Sequence, residues 1–408
     1  MAVLLAACSA SVPTASSPAS ATVAAAATPA PSGPPAAPSA TPGAPTIPSA
    51  AADQAGTFPG GLWATRGSTL LISSDAGASW QRSAIPTAAV YLGTSVFVLD
   101  REHAWSITPG PGTTPFDGSS SDVLHLVVHR TADGGRTWQQ AAVPGNYAGT
   151  GSWLVFVDPQ HGYLMCSAIR GSTGLSTVLR TDDGGRTWSV AGTGSWLGSM
   201  FSASDATTVW AGAEQEAGPV VHPLLDVSRD GGRTWEAAPL PGLVGPSEQG
   251  VGGAMRYLTE PPLFLSPTTG IVSIATDDPG GTVSSFFRTA DGGRTWSRAG
   301  GIAFPISAGP DSGGPAVLDA RDWLLPVDYP TQLEATADGG ATWHSLATSG
   351  LPAGSIISWM AGLDPTHAAA LVSGPWYPEP DELFLTSDAG RSWRPAALGG
   401  SAGSSPWP

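Results

Sequence analysis

The chain has 408 residues, a formal net charge of −15 and a pI near 4.6, with 53 glycines and 39 prolines. All 17 of its basic residues are arginine. An acidic, sparsely charged chain is a poor partner for nucleic acid or for an anionic membrane surface. The abundant glycines and prolines, and apolar residues without helical periodicity, exclude a fold built on long helices.

Residues 1–8 are interpreted as a partial lipoprotein signal. Leu5 to Cys8 match the bacterial lipobox, in which the cysteine is lipidated and becomes the first residue of the mature protein. The apolar run before Cys8 is shorter than the roughly 7–15 residues of a complete signal, and no charge precedes it. We expect a lipid on Cys8 to anchor the protein on the extracytoplasmic side of a bacterial membrane. The alternative is a cytosolic protein with a disordered leader.

Residues 9–56 consist almost entirely of Ala, Ser, Pro, Thr and Gly. Such a composition cannot bury a core, so the segment is predicted to be a disordered linker that holds the following domain away from the membrane. Residues 401–408 are predicted to be a disordered tail. The repeats described next place a single domain at residues 57–400.

One octapeptide, Ser/Thr-x-Asp-x-Gly-x-Ser/Thr-Trp, occurs seven times at intervals near 50 residues. Each aspartate is expected to close a tight turn by accepting hydrogen bonds from backbone N–H groups two or three residues on. Glycines such as Gly135, Gly185 and Gly232 supply the positive φ of this turn. Each tryptophan is expected to pack on the neighbouring repeat. The seven Asp–Trp pairs are Asp75 and Trp80, Asp133 and Trp138, Asp183 and Trp188, Asp230 and Trp235, Asp291 and Trp296, Asp338 and Trp343, and Asp388 and Trp393.

Short apolar segments before and after each octapeptide indicate four strands per repeat. The octapeptide lies between the third and fourth strands, and the second strand often begins with an aromatic residue such as Trp105 or Tyr163. Four short strands, repeated seven times, predict an all-β, seven-bladed β-propeller of four-stranded antiparallel blades. Only Ala55 to Pro59 precede the Trp63 strand, so the first strand of blade one is expected to be brief or missing, which would leave a weak seam with blade seven.

The octapeptides resemble the Asp-box, or BNR, repeats of sialidases, sortilin ectodomains and xyloglucanases. The longer form Arg-Thr-x-Asp-Gly-Gly-Arg-Thr-Trp, which begins at Arg130, Arg180 and Arg288, is similar to the photosystem II assembly and stability factor family. This resemblance implies a seven-bladed propeller that serves as a rigid platform for other proteins during the assembly of membrane complexes.

Function is expected on the face opposite the octapeptides, because the two longest insertions, 108–122 and 238–262, are predicted there. A protein or glycan ligand on this face, without a cofactor, is the preferred hypothesis. The alternative is a solvated acidic surface. The candidate binding residues are acidic or aromatic: Asp117, Glu214, Glu216, Asp277, Asp278, Tyr329, Trp376 and Tyr377.

Exo-acting hydrolysis of the sialidase type is the alternative function. That chemistry needs arginines that clamp a carboxylate and a tyrosine nucleophile activated by a glutamate. The candidates are Arg66, Arg170, Arg256, Tyr257 and Glu260. The Arg-Ile-Pro motif that sialidases carry ahead of their repeats is missing, so a non-catalytic platform is favoured. A xyloglucanase-type pair of carboxylates is not specified by any pattern, and that family has two propellers where this chain has room for one.

No metal site is expected, since the seven histidines show no ligand spacing. His161 and His367 are interpreted as turn residues on the octapeptide face. Cys166 is interpreted as a small buried apolar residue.

Overall fold

The computed structural model describes residues 51–86, 96–111, 113, 125–147, 152–166, 176–194, 196, 201–212, 225–241, 255–258, 260–278, 281–304, 314–327, 332–374 and 381–399. The side chains of residues 152, 255–257, 277, 278 and 281 are outside this description. The predicted signal, the predicted tail and the predicted linker up to residue 50 also lie outside the described residues. All described residues belong to one compact unit, 47–408.

The described residues form 29 strands in seven antiparallel sheets. Within each sheet the strands lie side by side in chain order, from the innermost to the outermost, except that the first two strands of the fifth sheet along the chain both pair with its third strand. Blade one is β1 (Gln54–Phe58), β2 (Gly61–Arg66), β3 (Thr69–Ser73) and β4 (Gln81–Ala84); blade two is β5 (Val96–Val98), β6 (Ala104–Pro109), β7 (Leu126–Thr131) and β8 (Gln139–Ala142); blade three is β9 (Ser152–Phe156), β10 (Gly162–Cys166), β11 (Ser176–Thr181) and β12 (Ser189–Gly194).

The remaining blades follow the same order. Blade four is β13 (Phe201–Ala203), β14 (Val209–Gly212), β15 (Leu225–Ser228) and β16 (Glu236–Ala237); blade five is β17 (Met255–Leu258), β18 (Leu263–Phe264), β19 (Gly270–Asp278), β20 (Gly281–Thr289) and β21 (Ser297–Phe304); blade six is β22 (Ala316–Val317), β23 (Trp323–Val327), β24 (Gln332–Thr336) and β25 (His344–Leu346); blade seven is β26 (Ile356–Gly362), β27 (Ala368–Ser373), β28 (Glu382–Thr386) and β29 (Arg394–Pro395). The predicted seven-bladed propeller is confirmed.

Seven hydrophobic clusters lie between the blades, one for each pair of neighbours. In every cluster the octapeptide tryptophan of one blade packs against residues of the preceding blade. Trp188 of blade three, for example, shares a cluster with Ile107 and Val128 of blade two. The indole N–H of Trp138 also donates to the Ala84 carbonyl of blade one, at 2.9 Å. The predicted packing of these tryptophans on the neighbouring repeat is confirmed.

Each octapeptide aspartate makes the same set of contacts. In the second copy, the Asp133 carboxylate accepts from the Thr137 N–H at 2.9 Å and from the Thr137 hydroxyl at 2.7 Å. The Thr131 hydroxyl donates to Asp133 at 2.8 Å and accepts from the Gly135 N–H at 2.9 Å. The recurring N–H donor thus lies four residues after the aspartate, whereas the sequence predicted a donor two or three residues on; three copies add a donor three residues on.

The turns between first and second strands lie on the same face as the octapeptides. In six blades, the N–H of the fourth octapeptide residue donates to a carbonyl of this turn in the same blade, as Gly184 does to Gln160 at 2.8 Å. We call this side of the propeller the octapeptide face. Asp158 of the same turn accepts from the N–H groups of Gln160 and His161 and from the His161 ring, so the predicted turn role of His161 is confirmed. His367 pairs with Asp364 in the same way.

Blade one is complete, contrary to the expectation that its first strand is brief or missing. All five residues of β1 pair with β2. The strand is long enough because it begins at Gln54, three residues before the predicted domain boundary. The chain before it also meets blade seven: the Ala52 N–H donates to the Asp381 carbonyl at 2.9 Å, and Ala51 bridges to Glu382. Buried alanines and leucines of both blades fill this seam.

Replacement of two octapeptide alanines by glycine is predicted to stabilise the protein. Five copies have glycine at their fourth position with φ between 70° and 77°, whereas Ala76 and Ala389 adopt φ of 52° and 57° there. The left-handed conformation costs a non-glycine residue about 1–2 kcal/mol, partly offset by the greater chain entropy of glycine in the unfolded state. Replacement of both alanines by glycine should raise the free energy of unfolding by about 1 kcal/mol in urea titrations. Ala341→Gly, in the same turn but with negative φ, should lower it.

Acid should weaken the octapeptide turns. Hydrogen bonds from Ser79 to Asp75, and from Thr137 to Asp133, lower the pKa of each carboxyl to about 2. The unfolded chain titrates near pH 4, so the stabilisation is complete above that pH and is lost as the pH falls towards 2. Thermal unfolding of the wild type and Asp133→Asn should therefore show a stability difference that narrows from pH 6 to pH 2. A constant difference would contradict this linkage.

Candidate functional site

A cavity of about 710 Å³ lies on the axis of the propeller. Residues from the innermost strands of all seven blades line it, including Phe58, Phe97, Ser202, Val317 and Trp359. Its size is typical of ligand-binding pockets, and its wall is largely apolar with a few polar groups, as such pockets are. The axial cavity is therefore the candidate functional site.

The axial cavity lies towards the octapeptide face. In most blades its lining comes from the end of the innermost strand and continues into the turn that follows, as at Pro59, Leu99, Val157 and Ser204. In blades two to seven, these are the turns that the octapeptides hold through the N–H of their fourth residue. The octapeptide network thus positions one rim of the cavity.

A bulge in blade five carries a carboxyl group into the axial cavity. Leu258 of β17 pairs with Ile274, and Leu263 of β18 pairs with Ile271, so the six residues from Leu258 to Leu263 stand opposite the four from Ile271 to Ile274 on β19. The extra residues belong to the segment that contains Glu260, Pro261 and Pro262. Prolines have no N–H for a ladder, and a bulge on the innermost edge strand tolerates them.

Glu260 is held close to two neighbouring strands. The Gly314 N–H donates to its carboxyl group, and a Cβ on Gly314 would lie 2.7 Å from the Glu260 Cγ and 3.1 Å from the Ser273 Oγ. The Pro262 carbonyl accepts a hydrogen bond of 3.1 Å from the Ser202 hydroxyl of blade four. Burial raises the pKa of Glu260, and the Gly314 bond opposes this only in part. Among the described residues lining the cavity, Glu260 is the one ionisable side chain.

The rim of the axial cavity carries exposed apolar side chains. Leu263 and Leu265 are 46% and 41% exposed, and both line the cavity beside Glu260. A second hollow of about 440 Å³ adjoins it at Phe58 and Pro59 and extends over Asp100 to Glu102. Exposed leucines beside a cavity are typical of a site that is covered when a partner binds.

The sequence-predicted site residues have different outcomes. Most candidates of the opposite face lie outside the described residues: Asp117, Glu214, Glu216, Tyr329, Trp376 and Tyr377. Asp277 and Asp278 end β19, and their side chains are not described. These residues stay predictions for that face.

The candidates for sialidase-type chemistry are spread over the fold. Arg66 ends β2 of blade one and does not line the axial cavity, whereas Glu260 does. Arg256 and Tyr257 lie on β17, within the segment predicted to be a connection; this corrects the boundaries 238–262, because the first strand of blade five begins at Met255. Their side chains, and all of Arg170, are outside the described residues.

Two further features bear on the expected chemistry. The described residues contain no group of three or more His, Cys, Asp or Glu side chains arranged to hold a metal ion. The described part of the chain also contains no helix with the length and hydrophobicity needed to cross a bilayer. Cys166 is buried in β10, which confirms its predicted burial.

The sequence analysis did not identify the axial cavity as a candidate site. The signal was present in Glu260-Pro261-Pro262 ahead of an apolar strand, since prolines inside a strand pattern indicate a bulge or an edge. It also missed a second recurrent turn, Asp-x-x-His, at 100–103, 158–161 and 364–367. In all three the aspartate accepts from two N–H groups and the histidine ring.

The fold is a seven-bladed β-propeller with a cavity on its axis. No protein-family model matches the sequence, and no curated protein matches it. Among solved structures, the chain is similar to the GH74 xyloglucanase from Xanthomonas campestris, with a TM-score of 0.53 and 16% identity, over 86% of this chain and 55% of that one. The chain thus spans about half the length of the xyloglucanase.

The chain is also similar to the structure of YCF48 bound to D1 peptide. The TM-score is 0.50 and the identity 14%, over 84% of this chain and 95% of that one. At these identities the likeness concerns the fold alone.

The surroundings of Glu260 predict a specific pH dependence of stability. Its pKa is raised above the ordinary value of 4.5, so the folded state loses stability relative to the unfolded state as the pH rises from 4.5 to the folded pKa. The Glu260→Gln variant does not titrate. Its stability relative to the wild type should therefore increase between pH 4 and pH 7 in urea titrations.

Proposed function

We propose that this chain is a non-catalytic binding platform, anchored by a lipid on Cys8 at the extracytoplasmic face of a bacterial membrane, that holds a protein or glycan ligand. The observation that carries the proposal is the axial cavity, whose wall combines apolar residues from seven blades with one carboxyl group. Such a wall suits binding by shape and burial.

The ionisable groups favour binding over glycoside hydrolysis. Most glycosidases place two carboxyl groups about 5–10 Å apart on either side of the bond they cleave. In the described lining of the axial cavity Glu260 has no second carboxylate beside it. The arginine clamp of a sialidase would need Arg66, which lies on another blade and away from this wall. No specific observation favours the hydrolase.

The resemblance to assembly and stability factors agrees with a protein ligand. The structure of YCF48 contains a bound D1 peptide, and its propeller covers nearly the same length of chain. The predicted lipid anchor and linker would present such a platform to proteins at the membrane surface. We therefore favour a protein over a glycan as the ligand.

A larger side chain placed in the axial cavity tests the proposal that the cavity binds a protein. The full chain, immobilised and exposed to solubilised membranes of its host, should retain a specific protein. Ala361 lines the axial cavity on β26, so Ala361→Trp should weaken retention at least about tenfold, the effect of losing about 1.4 kcal/mol of binding free energy. Val190→Trp, on the outermost strand of blade three where Val190 is 57% exposed, should not.

Two results would contradict the proposal. One is retention of the same partner by Ala361→Trp with unchanged affinity, provided that thermal unfolding shows the variant to be folded. The other is hydrolysis of any substrate in a panel of fluorogenic glycosides by the wild type, because a platform without catalytic groups turns over none of them.

A further inference from the structure

The axial cavity and its rim specify the chemistry of the ligand more closely than the fold does. The Glu260 carboxyl group lies in a wall made mostly of Phe, Leu, Pro, Val and Trp side chains, with a few Ser and Thr residues between them. The Gly314 N–H donates to it, and the described residues that line the cavity include no cationic side chain. The side chains of 255–257 on β17 are outside the described residues.

An ionised carboxylate in such surroundings is costly unless a cation joins it. A ligand that brings a positive charge to Glu260 would remove this cost and form the pair where little water competes with it. The whole chain has a net charge of −15, which favours the approach of a cationic partner. Charge complementarity therefore points to a positively charged group beside Glu260 in the cavity.

The rim specifies what surrounds that charge. Leu263 and Leu265 present exposed apolar surface next to Glu260, and Trp359 lines the same cavity. The adjoining hollow continues outward from Phe58 and Pro59 over the Asp100–Glu102 turn, and so provides a path for more chain. An extended peptide with apolar residues on both sides of its charge matches this shape.

Building on the proposed function, we infer that the axial cavity binds a peptide segment of the partner protein that inserts a primary ammonium group, flanked by apolar residues, against the Glu260 carboxylate. The ammonium belongs to a lysine side chain or to the amino terminus of the segment, which share this chemistry. Leu263, Leu265 and Trp359 cover the flanking apolar residues.

Calorimetric titration of the full chain with short peptides tests this inference. The probes are acetyl-Leu-Lys-Leu-amide, the neutral acetyl-Leu-Gln-Leu-amide, and Leu-Leu-amide with a free amino terminus. The lysine probe or the free amino terminus should bind the wild type at least about tenfold more tightly than the neutral probe, as expected for a largely desolvated charge pair. The tighter of the two identifies the source of the ammonium.

Glu260→Gln should abolish this preference, whereas Glu334→Gln should keep it. Binding of the charged probe should also release protons near pH 5, where the raised pKa leaves Glu260 partly protonated, because pairing favours the ionised form; titrations in buffers of different ionisation enthalpy measure this release. Glu260→Gln should release none. A purely structural role for Glu260 would not produce this linked proton release.

The inference is overturned if the charged and neutral probes bind equally, if none of them binds the wild type, or if Glu260→Gln keeps the preference. The proposed function does not fail with this inference. If Glu260→Gln retains the captured partner as well as the wild type does while Ala361→Trp loses it, the cavity still binds the partner and only the assignment of the ammonium is wrong.

Discussion

The aspartate-centred turn of the octapeptide is the interaction on which the propeller depends. Each aspartate accepts the N–H and hydroxyl of the residue four positions on, and this closes the turn between the third and fourth strands. The closed turn aims the following tryptophan at the preceding blade, and its fourth residue holds the turn between first and second strands. One local network therefore links strands within a blade and blades around the ring.

The ring closes without exchange of a strand between its ends. Blade one is built only from the beginning of the described chain and blade seven only from its end. Side chains of the two blades pack in one buried cluster, and the tryptophan of the first octapeptide, Trp80, packs against it as its counterparts do elsewhere. The Arg82 guanidinium of blade one donates to the Leu398 carbonyl beyond blade seven. Closure thus repeats the tryptophan packing of the other six interfaces and adds backbone contacts of Ala51 and Ala52 with blade seven.

The fold could be predicted from the sequence because each repeat contains the residues that form its turn and the tryptophan that packs on the preceding blade. Seven aspartates, their glycines and their tryptophans predicted the blade number, the position of the turn and the packing of the indoles. The sequence did not suffice for the axial cavity, because inner strands such as β5, β13 and β22 are two or three residues long. Strands this short show no alternation of apolar and polar residues from which the residues that face the axis could be identified. The position of Glu260 depends on a bulge that contacts Ser202 of blade four and Gly314 ahead of blade six, and both residues are distant from Glu260 in sequence.

The axial cavity, the candidate site among the described residues, lies away from the face on which the sequence predicts function, and the candidate residues of that face stay predictions. The two long insertions predicted a functional site on the face opposite the octapeptides. The axial cavity is instead lined by strand ends and turns on the octapeptide face. The turns that build the scaffold thereby also shape one rim of the cavity.

Hydrogen–deuterium exchange of the full chain, with and without the protein that it captures, tests the central claim that the ligand occupies the axial cavity. The account predicts slower exchange in the bound state at the amides of Leu263 to Leu265 and Met360 to Gly362. Slower exchange confined to segments of the opposite face, such as the turn between Arg66 and Thr69, with unchanged exchange at the axis, would contradict it.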